Sequence, residues 1–386
     1  MKIAIFTWQG GGATQPAFGI GRVLAARGHE VRIVGPAAYA ERARAAGCAY
    51  SPFPAELEFD AAKGRAAEDQ AGYVEEILLG RGPAAVLAAE VEREPVDLVV
   101  VDYLMRSAIC RAESLGIPTV LFVHMVHRFY GVCRGGDEAW GWRWQYRRLN
   151  QVREDFGLEP LPIGPEPTAI ALMRRARATV VAMPAEFDLW PEPAPPNLTH
   201  VGPVFEERQT GSWDPPWPDD DRSLAVVTMG STYMRQEELL TRAAGALGEV
   251  GMRVLVLTGS ELAADELELT GPEIVVRDFV PHSAVLPQAD LVVTHGGMGT
   301  LMAAFAAAVP VLCMPLGRDQ RHNAELVAEL GLGGVLAPDA PPEQIREAAR
   351  AILGTPGFRS GVEEMTAAIG AYDTEALIVR AVEGAA

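Results

Sequence analysis

The stretch from residue 291 to residue 323 constrains the fold of this chain more than any other part of the sequence. It reads LVVTHGGMGTLMAAFAAAVPVLCMPLGRDQRHN, which is an apolar run, a glycine-rich turn, a helix-forming segment, a second apolar run and a polar loop. Both apolar runs are continuous and do not alternate with polar residues, which is typical of strands in a parallel sheet covered on both faces. The stretch therefore predicts a strand–helix–strand unit of an α/β fold.

Three glycines, Gly296, Gly297 and Gly299, follow the first strand of this unit. Because glycine has no Cβ, the backbone there can approach a ligand closely. The helix predicted to begin near Thr300 offers unpaired N–H groups and the positive end of its dipole, which suits a diphosphate. His295, at the end of the strand, can add a hydrogen bond or a charge. The turn thus indicates a diphosphate site, and an ordinary tight turn is the alternative.

The second apolar run leads into a polar loop that contains Asp319 and Gln320. In open α/β sheets the carboxyl ends of neighbouring strands share one edge, and ligands bind at that edge. We therefore expect Asp319 and Gln320 to contact a polyhydroxylated group that lies next to the diphosphate. A solvated loop with no ligand is the alternative.

The motifs HGGMGT and PLGRDQRHNA together resemble the donor-binding signature of nucleotide-sugar-dependent glycosyltransferases of the GT-B fold. The resemblance is closest to the family 1 type, whose members glycosylate small lipophilic molecules such as antibiotics, sterols and flavonoids. It implies that one group of residues holds the phosphates, the base and the sugar of the donor: Ser231, Val280, His282, His295, Gly297, Gly299, Thr300, Asp319 and Gln320. Ala303 departs from the family, since many members have a glutamate there that can hold the ribose.

Strand and helix patterns alternate in both halves of the chain, which predicts a doubly wound parallel sheet in each half. This agrees with the GT-B fold, two Rossmann-like domains with an interdomain cleft. Residues 205–222 are rich in proline and aspartate and lack periodicity, so they are interpreted as a linker. We expect an acceptor-binding domain at 1–204 and a nucleotide-sugar-binding domain at 223–365. The resemblance implies that a helix in 366–386 packs back toward the first domain.

The first strand is followed by glycines, and a nicotinamide dinucleotide site is one reading of that pattern. Gly10 and Gly12 are followed by Gln15 where the dinucleotide fingerprint needs its third glycine, and no acidic residue ends the second strand. Both failures argue against NAD. We interpret residues 8–15 as a loop and residues 16–27 as a helix with Pro16 in its first turn.

The resemblance implies an inverting single displacement, which a general base normally assists. Family members place histidine or aspartate three residues before the proline that matches Pro16, but this chain has Ala13. The candidates for a replacement are Asp102, which matches the aspartate that orients the histidine in dyad-type relatives, and His124 or His127 after the next strand, of which His124 is the better placed. Asp102 has a second interpretation, as a cap for the helix that follows it. An acidic phenol or an activated aromatic carbon would need little help from a base.

Aromatic residues crowd between residues 124 and 148, where three of the seven tryptophans alternate as Trp-x-Trp-x-Trp. Alternate residues of a helix point about 200° apart, so one buried helix face cannot take all three rings. Apolar walls with a few polar groups suit a lipophilic ligand, and a plain core is the alternative. The predicted acceptor site consists of Gly12, Ala13, His127, Phe129, Trp140 and Trp144. Asp137 and Glu138 in this segment are further candidates for the base.

Charge, cysteine content and the apolar runs limit the partners and the cellular location that we expect for this chain. The net charge is −18 over 386 residues, which argues against binding to nucleic acid. Four cysteines without CxxC spacing fit reduced thiols in a cytoplasmic protein and not a disulfide framework or a zinc site. The first strand runs directly into glycines, so no signal peptide is expected, and no apolar run is long enough to span a bilayer. The aspartates at 219–221 read as an exposed linker, so no metal site is expected.

The sequence as a whole predicts a metal-independent, inverting glycosyltransferase. It would move a sugar from a UDP- or TDP-sugar, a co-substrate and not a cofactor, to a small phenolic, polyketide or sterol-like acceptor, as a monomer or homodimer. One alternative, motivated by Ala13 and Ala303, is a weak or non-catalytic nucleotide-sugar-binding protein of the same fold. Another is an epimerase or hydrolase of the GT-B fold, which would bind the donor but lack an apolar acceptor pocket.

Overall fold

The computed structural model describes the chain except for residues 59–66, 131–141, 165, 191–192, 207–211, 219, 231–233, 260–261, 268 and 270, and except for the side chains of 11–13, 67–72, 130 and 142–143. The chain divides into two compact units, Met1–Glu207 with Tyr372–Ala386, and Arg208–Ala371. The division falls within the predicted linker, and the returning segment begins at Tyr372 rather than at residue 366.

The first unit contains one parallel sheet. Its strands are β1 Lys2–Phe6, β2 Glu30–Gly35, β3 Ala49–Pro52, β4 Leu98–Asp102, β5 Thr119–Val123, β6 Ala178–Val181 and β7 Leu198–His200. Within the described residues their order is β3-β2-β1-β4-β5-β6-β7, so the chain reverses its direction of winding between β1 and β4. In sheets of this kind the loops beyond the carboxyl ends at that point form the ligand site.

The helices of this part of the chain lie between the strands in sequence. They are α1 Gly11–Ala26, α2 Ala40–Ala45, α3 Ala67–Leu79, α4 Gly82–Arg93, α5 Arg106–Ser114, α6 His127–Tyr130, α7 Trp142–Asp155, α8 Thr168–Met173 and α9 Ala185–Asp188. Strands β4 and β5 are buried along their whole length, which explains their unbroken apolar sequence.

The predicted start of the first helix, at Pro16, is wrong. Helix α1 begins at Gly11, and Pro16 lies inside it. The side-chain oxygen of Thr14 donates to the carbonyl of Gly10 (3.3 Å) and lies 3.0 Å from the hydroxyl of Tyr39, which holds these residues as a helical turn. Pro16 is the sixth residue of α1, so it removes the hydrogen bond that a backbone N–H there would donate to the carbonyl of Gly12.

The second unit also contains one parallel sheet. Its strands are β8 Leu224–Thr228, β9 Arg253–Leu257, β10 Ile274–Arg277, β11 Leu291–Thr294, β12 Val311–Cys313 and β13 Gly333–Val335. Their order within the described residues is β10-β9-β8-β11-β12-β13. The carboxyl end of β11 is therefore flanked by the loops that follow β8 and β12.

The remaining helices complete the chain. They are α10 Glu237–Gly248, α11 His282–Val285, α12 Met298–Ala306, α13 Gln320–Glu329, α14 Pro342–Gly354, α15 Pro356–Gly370 and α16 Thr374–Glu383. Helix α16 belongs to the first unit, where Ile378, Val382 and Ala385 join the core formed by β1, α1 and their neighbours. The two doubly wound parallel sheets predicted from the sequence are thus confirmed. Among the described residues, no helix combines the length and apolar character needed to cross a bilayer.

Candidate functional site

The glycine-rich turn after β11 is shaped around the imidazole of His295. Gly296 has φ +87°, a conformation that favours glycine, and Gly297 directly precedes α12. A Cβ on Gly297 would lie 2.6 Å from Nε2 of His295, and a Cβ on Gly230, after β8, would lie 2.7 Å from its Cε1. The imidazole therefore packs directly on two glycines. Only glycine fits these positions without displacing the ring.

His295 is neutral at physiological pH. Burial and the nearby positive charge of Arg318 lower its pKa to about 4. Its Nδ1 lies 3.3 Å from the hydroxyl oxygen of Thr294, which also accepts from the N–H of Gly296 (3.3 Å). A neutral imidazole at the start of α12 can donate one N–H to an anion, beside the free N–H groups of the helix. Thr300 lies in the first turn of α12, together with Gly299.

The side chain of Gln320 holds the polar loop after β12 in place through hydrogen bonds. Its side-chain oxygen accepts from the backbone N–H groups of Leu316 (2.8 Å) and Gly317 (3.0 Å), and its amide nitrogen lies 3.3 Å from the sulfur of Met234. Met234 belongs to the loop after β8, so Gln320 joins the two loops that flank β11. The residue predicted to contact a sugar thus also shapes the loop.

Asn323 ties the same loop to the glycine turn, and it is not among the residues predicted from the sequence. Its amide nitrogen donates to the carbonyl of Gly296 and to Oδ2 of Asp319, both at 2.9 Å, and its side chain is fully buried. Asp319 and Asn323 are four residues apart, a spacing that brings side chains together on a helix and is visible in the sequence. The pair holds Asp319 beside the turn.

The segment after β10 contains the residues predicted to flank the base. Val280 is buried, and burial lowers the pKa of His282 at the start of α11. Between them and the strand lies Phe279, whose ring is 77% exposed. An exposed aromatic ring at the carboxyl edge of a sheet is a candidate for stacking on a base, and Phe279 is not among the residues predicted from the sequence. Ser231 lies outside the described residues.

Asp102 is the last residue of β4 and is completely buried. Its Oδ2 accepts from Nε1 of Trp8 and lies equally close to Nε2 of His124, both at 3.1 Å, while Oδ1 accepts from the N–H of Leu104 (2.9 Å). Leu104 precedes α5, and the N-cap residue of that helix, Met105, makes no side-chain cap, so the interpretation of Asp102 as its cap is wrong. With three donors around it, the carboxylate is better suited to orienting His124 than to taking a proton itself.

His124 directly follows β5 and is 1% exposed. A carboxylate only accepts hydrogen bonds, so the proton on the imidazole belongs to Nε2, which faces Asp102, and Nδ1 carries a lone pair. Nδ1 is buried and has no hydrogen-bond partner among the described residues. A buried nitrogen without a partner costs about 1–3 kcal/mol, and a hydroxyl would satisfy it. An imidazole held by a carboxylate, with a lone pair on its other nitrogen, is an arrangement that can act as a general base.

Trp8 also belongs to this group, although it is not among the site residues predicted from the sequence. It follows β1, its ring is largely buried, and a Cβ on Gly10 would lie 2.5 Å from that ring. Its carbonyl accepts from the hydroxyl of Tyr39 (3.1 Å). Gly12 and Ala13, in the first turn of α1, are described only by their backbone. Among the described residues near the start of α1, it is therefore the indole of Trp8 that donates a hydrogen bond to Asp102.

His127 bonds to a different carboxylate. Its backbone N–H donates to Oδ1 of Asp188 (2.7 Å), and its Nδ1 lies 2.7 Å from the carbonyl oxygen of Asp188. Nε2 of His200 lies 2.9 Å from the other carboxylate oxygen. These hydrogen bonds outweigh the effect of burial and lower the pKa of Asp188. His127 therefore anchors the start of α6 to a buried acid.

The other predicted acceptor residues are only partly described. Phe129, in α6, is half-buried, and the ring of Trp144, in α7, has the guanidinium carbon of Arg148 6.0 Å from its centre. Trp140, Asp137 and Glu138 lie outside the described residues. Within the part of the chain that the structure describes, no group of three or more His, Cys, Asp or Glu side chains is arranged to hold a metal ion.

Known proteins share both the sequence pattern and this architecture. Residues 242–384 match the family model described as erythromycin biosynthesis protein CIII-like, C-terminal domain. Demethyllactenocin mycarosyltransferase of Streptomyces fradiae is 26% identical over 99% of this chain and 86% of its own length. Among solved structures, the calicheamicin glycosyltransferase CalG4 has a TM-score of 0.77 at 25% identity and covers 99% of this chain and 96% of its own. The glycosyltransferase VinC, solved in complex with DTDP, has a TM-score of 0.73 at 21% identity, covering 99% and 100%.

Proposed function

We propose that this chain, which belongs to the GT-B glycosyltransferases of the family 1 type, transfers a sugar from a TDP- or UDP-sugar to a small lipophilic acceptor with inversion and without a metal ion. Its class, a natural-product glycosyltransferase, follows from the family model and the named relatives. The observation that carries the finer proposal is the buried pair of Asp102 and His124, because it supplies a base where Ala13 cannot.

The donor half of the proposal rests on the turn after β11. The diphosphate would accept from the free N–H groups at the start of α12 and from the neutral imidazole of His295. The polar loop held by Gln320 and Asn323 would present Asp319 to the sugar hydroxyls. The complex of VinC with DTDP supports a thymidine diphosphate donor. The N–H groups at the start of α12 and the imidazole of His295 would stabilise the negative charge on the leaving group, so no metal ion would be needed.

The chemical step is a single displacement. The oxygen of the acceptor hydroxyl attacks the anomeric carbon on the face opposite the diphosphate. The new carbon–oxygen bond forms as the bond to the phosphate oxygen breaks, and the nucleoside diphosphate leaves with that electron pair. Nδ1 of His124 takes the hydroxyl proton, and Asp102 stabilises the imidazolium that results. One displacement inverts the configuration at the anomeric carbon.

The acceptor half rests on the first unit. His127 and Phe129 belong to α6 and Trp144 belongs to α7, the helices that come directly before and after residues 131–141 in the chain. The names of the relatives, a demethyllactenocin mycarosyltransferase and a calicheamicin glycosyltransferase, support a natural product as the acceptor. Apolar walls with a few polar groups would suit such a molecule, whose hydroxyl the imidazole of His124 would deprotonate.

The test is turnover of TDP-glucose and UDP-glucose with a panel of phenolic and polyketide acceptors, followed by mass spectrometry. We expect a glycosylated product that forms equally well in EDTA and has the inverted anomeric configuration by NMR. His124→Gln should abolish product while TDP still binds in calorimetry. Binding of TDP without product for any acceptor would favour the binding-protein alternative. Release of TDP without any acceptor would favour a hydrolase.

A further inference from the structure

Tyr372 is the first residue of the segment that returns to the first unit, and its hydroxyl group contacts the start of helix α9. The hydroxyl oxygen accepts from the backbone N–H of Ala185 (2.8 Å), and the hydroxyl donates to a carboxylate oxygen of Glu186 (3.0 Å). Burial and the bond to Glu186 raise the pKa of the phenol, so it keeps the proton that it donates. The returning segment is therefore bonded to the first two residues of α9.

The side chain of Tyr372 also packs on the backbone that follows β7. A Cβ on Gly202 would lie 2.9 Å from Cβ of Tyr372 and 3.0 Å from its Cγ. Because glycine has no Cβ, the tyrosine can come this close to the chain. Gly202 is two residues beyond His200, which ends β7. One side chain thus contacts both the start of α9 and the segment after β7.

These two elements carry the buried acid Asp188 and one of its partners. Asp188 is the last residue of α9, and Nε2 of His200 lies 2.9 Å from its Oδ2. Its Oδ1 accepts from the backbone N–H of His127 (2.7 Å), the first residue of α6. Nδ1 of His127 donates to the carbonyl oxygen of Asp188 (2.7 Å), because a carbonyl can only accept. The start of α6 is therefore held by a residue of α9.

Helix α9 keeps its place only through contacts with the rest of the unit. It has four residues, and an isolated helix of one turn is unstable in water. Phe187 is completely buried, and the ring of Trp190 lies 5.2 Å from the imidazole of His127. At the other end of the helix, the N–H of Ala185 has no acceptor within a helix, and Tyr372 supplies one. Loss of that bond should loosen α9 from its first residue onward.

We propose that Tyr372 is a positioning residue for the acceptor: through α9 and Asp188, it sets the place of helix α6. This inference rests on the proposed function, because it requires that His127 and Phe129 of α6 contact the acceptor. Tyr372 acts through α9 and takes no part in the transfer of the sugar or of the proton. The residues of the proposed donor site belong to the second unit, so loss of the tyrosine hydroxyl should change acceptor binding and leave donor binding intact.

Tyr372→Phe removes the hydroxyl and keeps the ring, and steady-state kinetics with each substrate varied in turn measure the effect. We expect the KM for the acceptor to rise about three- to tenfold, while the KM for the donor and kcat at saturating acceptor change less than about twofold. Tyr50→Phe is the matched control. Its hydroxyl donates to the carbonyls of Gly35 (3.2 Å) and Pro36 (2.9 Å) in the same unit, and its loss should leave both KM values unchanged.

A double variant tests whether Tyr372 acts through the buried acid. If both residues position α6 by the same route, Tyr372→Phe combined with Asp188→Asn should raise the KM for the acceptor hardly more than Asp188→Asn alone. Effects of the two substitutions that multiply would mean independent routes and would overturn the proposed one.

Hydrogen exchange followed by mass spectrometry reports on α6 without any turnover. A peptide that contains His127 should exchange several-fold faster in Tyr372→Phe, and a peptide from β4 should exchange as in the wild type. Unchanged exchange at His127, or equal changes in both KM values, would overturn the inference. A lower kcat with both KM values unchanged would also overturn it, since that indicates only a smaller folded fraction. Wild-type protein that makes no product from any acceptor would instead overturn the proposed function itself.

Discussion

Nε2 of His124 lies 3.1 Å from Oδ2 of Asp102, and both side chains are closed to solvent. The sheet itself creates this pair. In the register of β4 with β5, Asp102 stands opposite Phe122, and His124 is two residues further along on the same face. The base in our proposal is therefore placed by two central strands, and it does not depend on the residue at position 13.

Asp102→Asn tests this pair most directly. The amide keeps the shape of the carboxylate but cannot hold the same tautomer or stabilise an imidazolium. We expect kcat to fall by about 10²- to 10⁴-fold, with little change in TDP affinity. Steady-state kinetics and calorimetry on the same preparation measure the two quantities. A variant with normal kcat would remove the carboxylate of Asp102 from the chemistry.

Trp8→Phe tests whether the indole positions Asp102. The substitution keeps an aromatic ring but removes the N–H that donates to Oδ2, together with part of the volume of the indole. We expect a loss of about 1 kcal/mol in the free energy of unfolding and a several-fold decrease in kcat. Trp217→Phe is the matched control, because Nε1 of Trp217 donates to the carbonyl of Pro272 (3.1 Å) in the second unit. The control should lose similar stability without the decrease in kcat; equal kinetics in both variants would contradict the role of Trp8.

Gly297→Ala tests the packing of the glycine turn on His295. The backbone of Gly297 suits any residue (φ −68°), so the effect is purely steric: the new Cβ would lie 2.6 Å from Nε2 of the imidazole. We expect TDP affinity to fall at least tenfold as the ring is displaced. Gly245→Ala, in α10, meets nothing within 4 Å and should stabilise the protein by about 0.5–1 kcal/mol with unchanged affinity. Unchanged TDP affinity in Gly297→Ala would show that the imidazole takes no part in donor binding.

The pKa of His295 predicts a pH dependence of stability. Its folded value of about 4 is below the value of about 6.5 for an unfolded histidine. The unfolded chain therefore binds the proton first, so the stabilisation is complete above pH 6.5 and is lost as the pH falls toward 4. Urea unfolding at pH 7 and pH 5 should show this loss in the wild type and a smaller one in His295→Gln. The variant should still lose some stability at pH 5, because burial also lowers the pKa of His282. The same pH dependence in both proteins would contradict the assignment.

The sequence predicts features that depend on neighbouring residues, but it does not predict contacts between residues far apart in the chain. Apolar runs such as that of β11 predicted strands, and Gly296 and Gly297 predicted the turn, because both features depend on neighbouring residues. The start of α1 was misplaced because proline usually opens a helix. The bond from Trp8 to Asp102 joins residues 94 apart, and the bond from His127 to Asp188 joins residues 61 apart. Contacts between residues so far apart in sequence leave no local pattern, because it is the folding of the sheet that brings the two side chains together.

Asp188→Asn tests the buried acid that holds His127. Burial alone would raise the pKa of Asp188, but hydrogen bonds from His127 and His200 hold it below its usual value. A carboxyl with a depressed folded pKa stabilises the protein above its unfolded value of about 3.9, and this stabilisation is lost as the pH falls further. The variant should therefore melt well below the wild type at pH 7, and the difference should shrink at pH 3.5.

Because Asp188 accepts from the backbone of His127 at the start of α6, Asp188→Asn should also raise the KM for the acceptor more than the KM for the donor. Asp220→Asn is the control, since that exposed carboxyl pairs only with Arg222 among the described residues and its loss should leave the melting temperature and both KM values unchanged. Thermal unfolding at the two pH values and initial-rate kinetics measure these effects. If the wild type and Asp188→Asn differ in melting temperature by the same amount at both pH values, then the neutral form of Asp188 stabilises the protein as much as the carboxylate does. Equal changes in both KM values would separate Asp188 from the acceptor site.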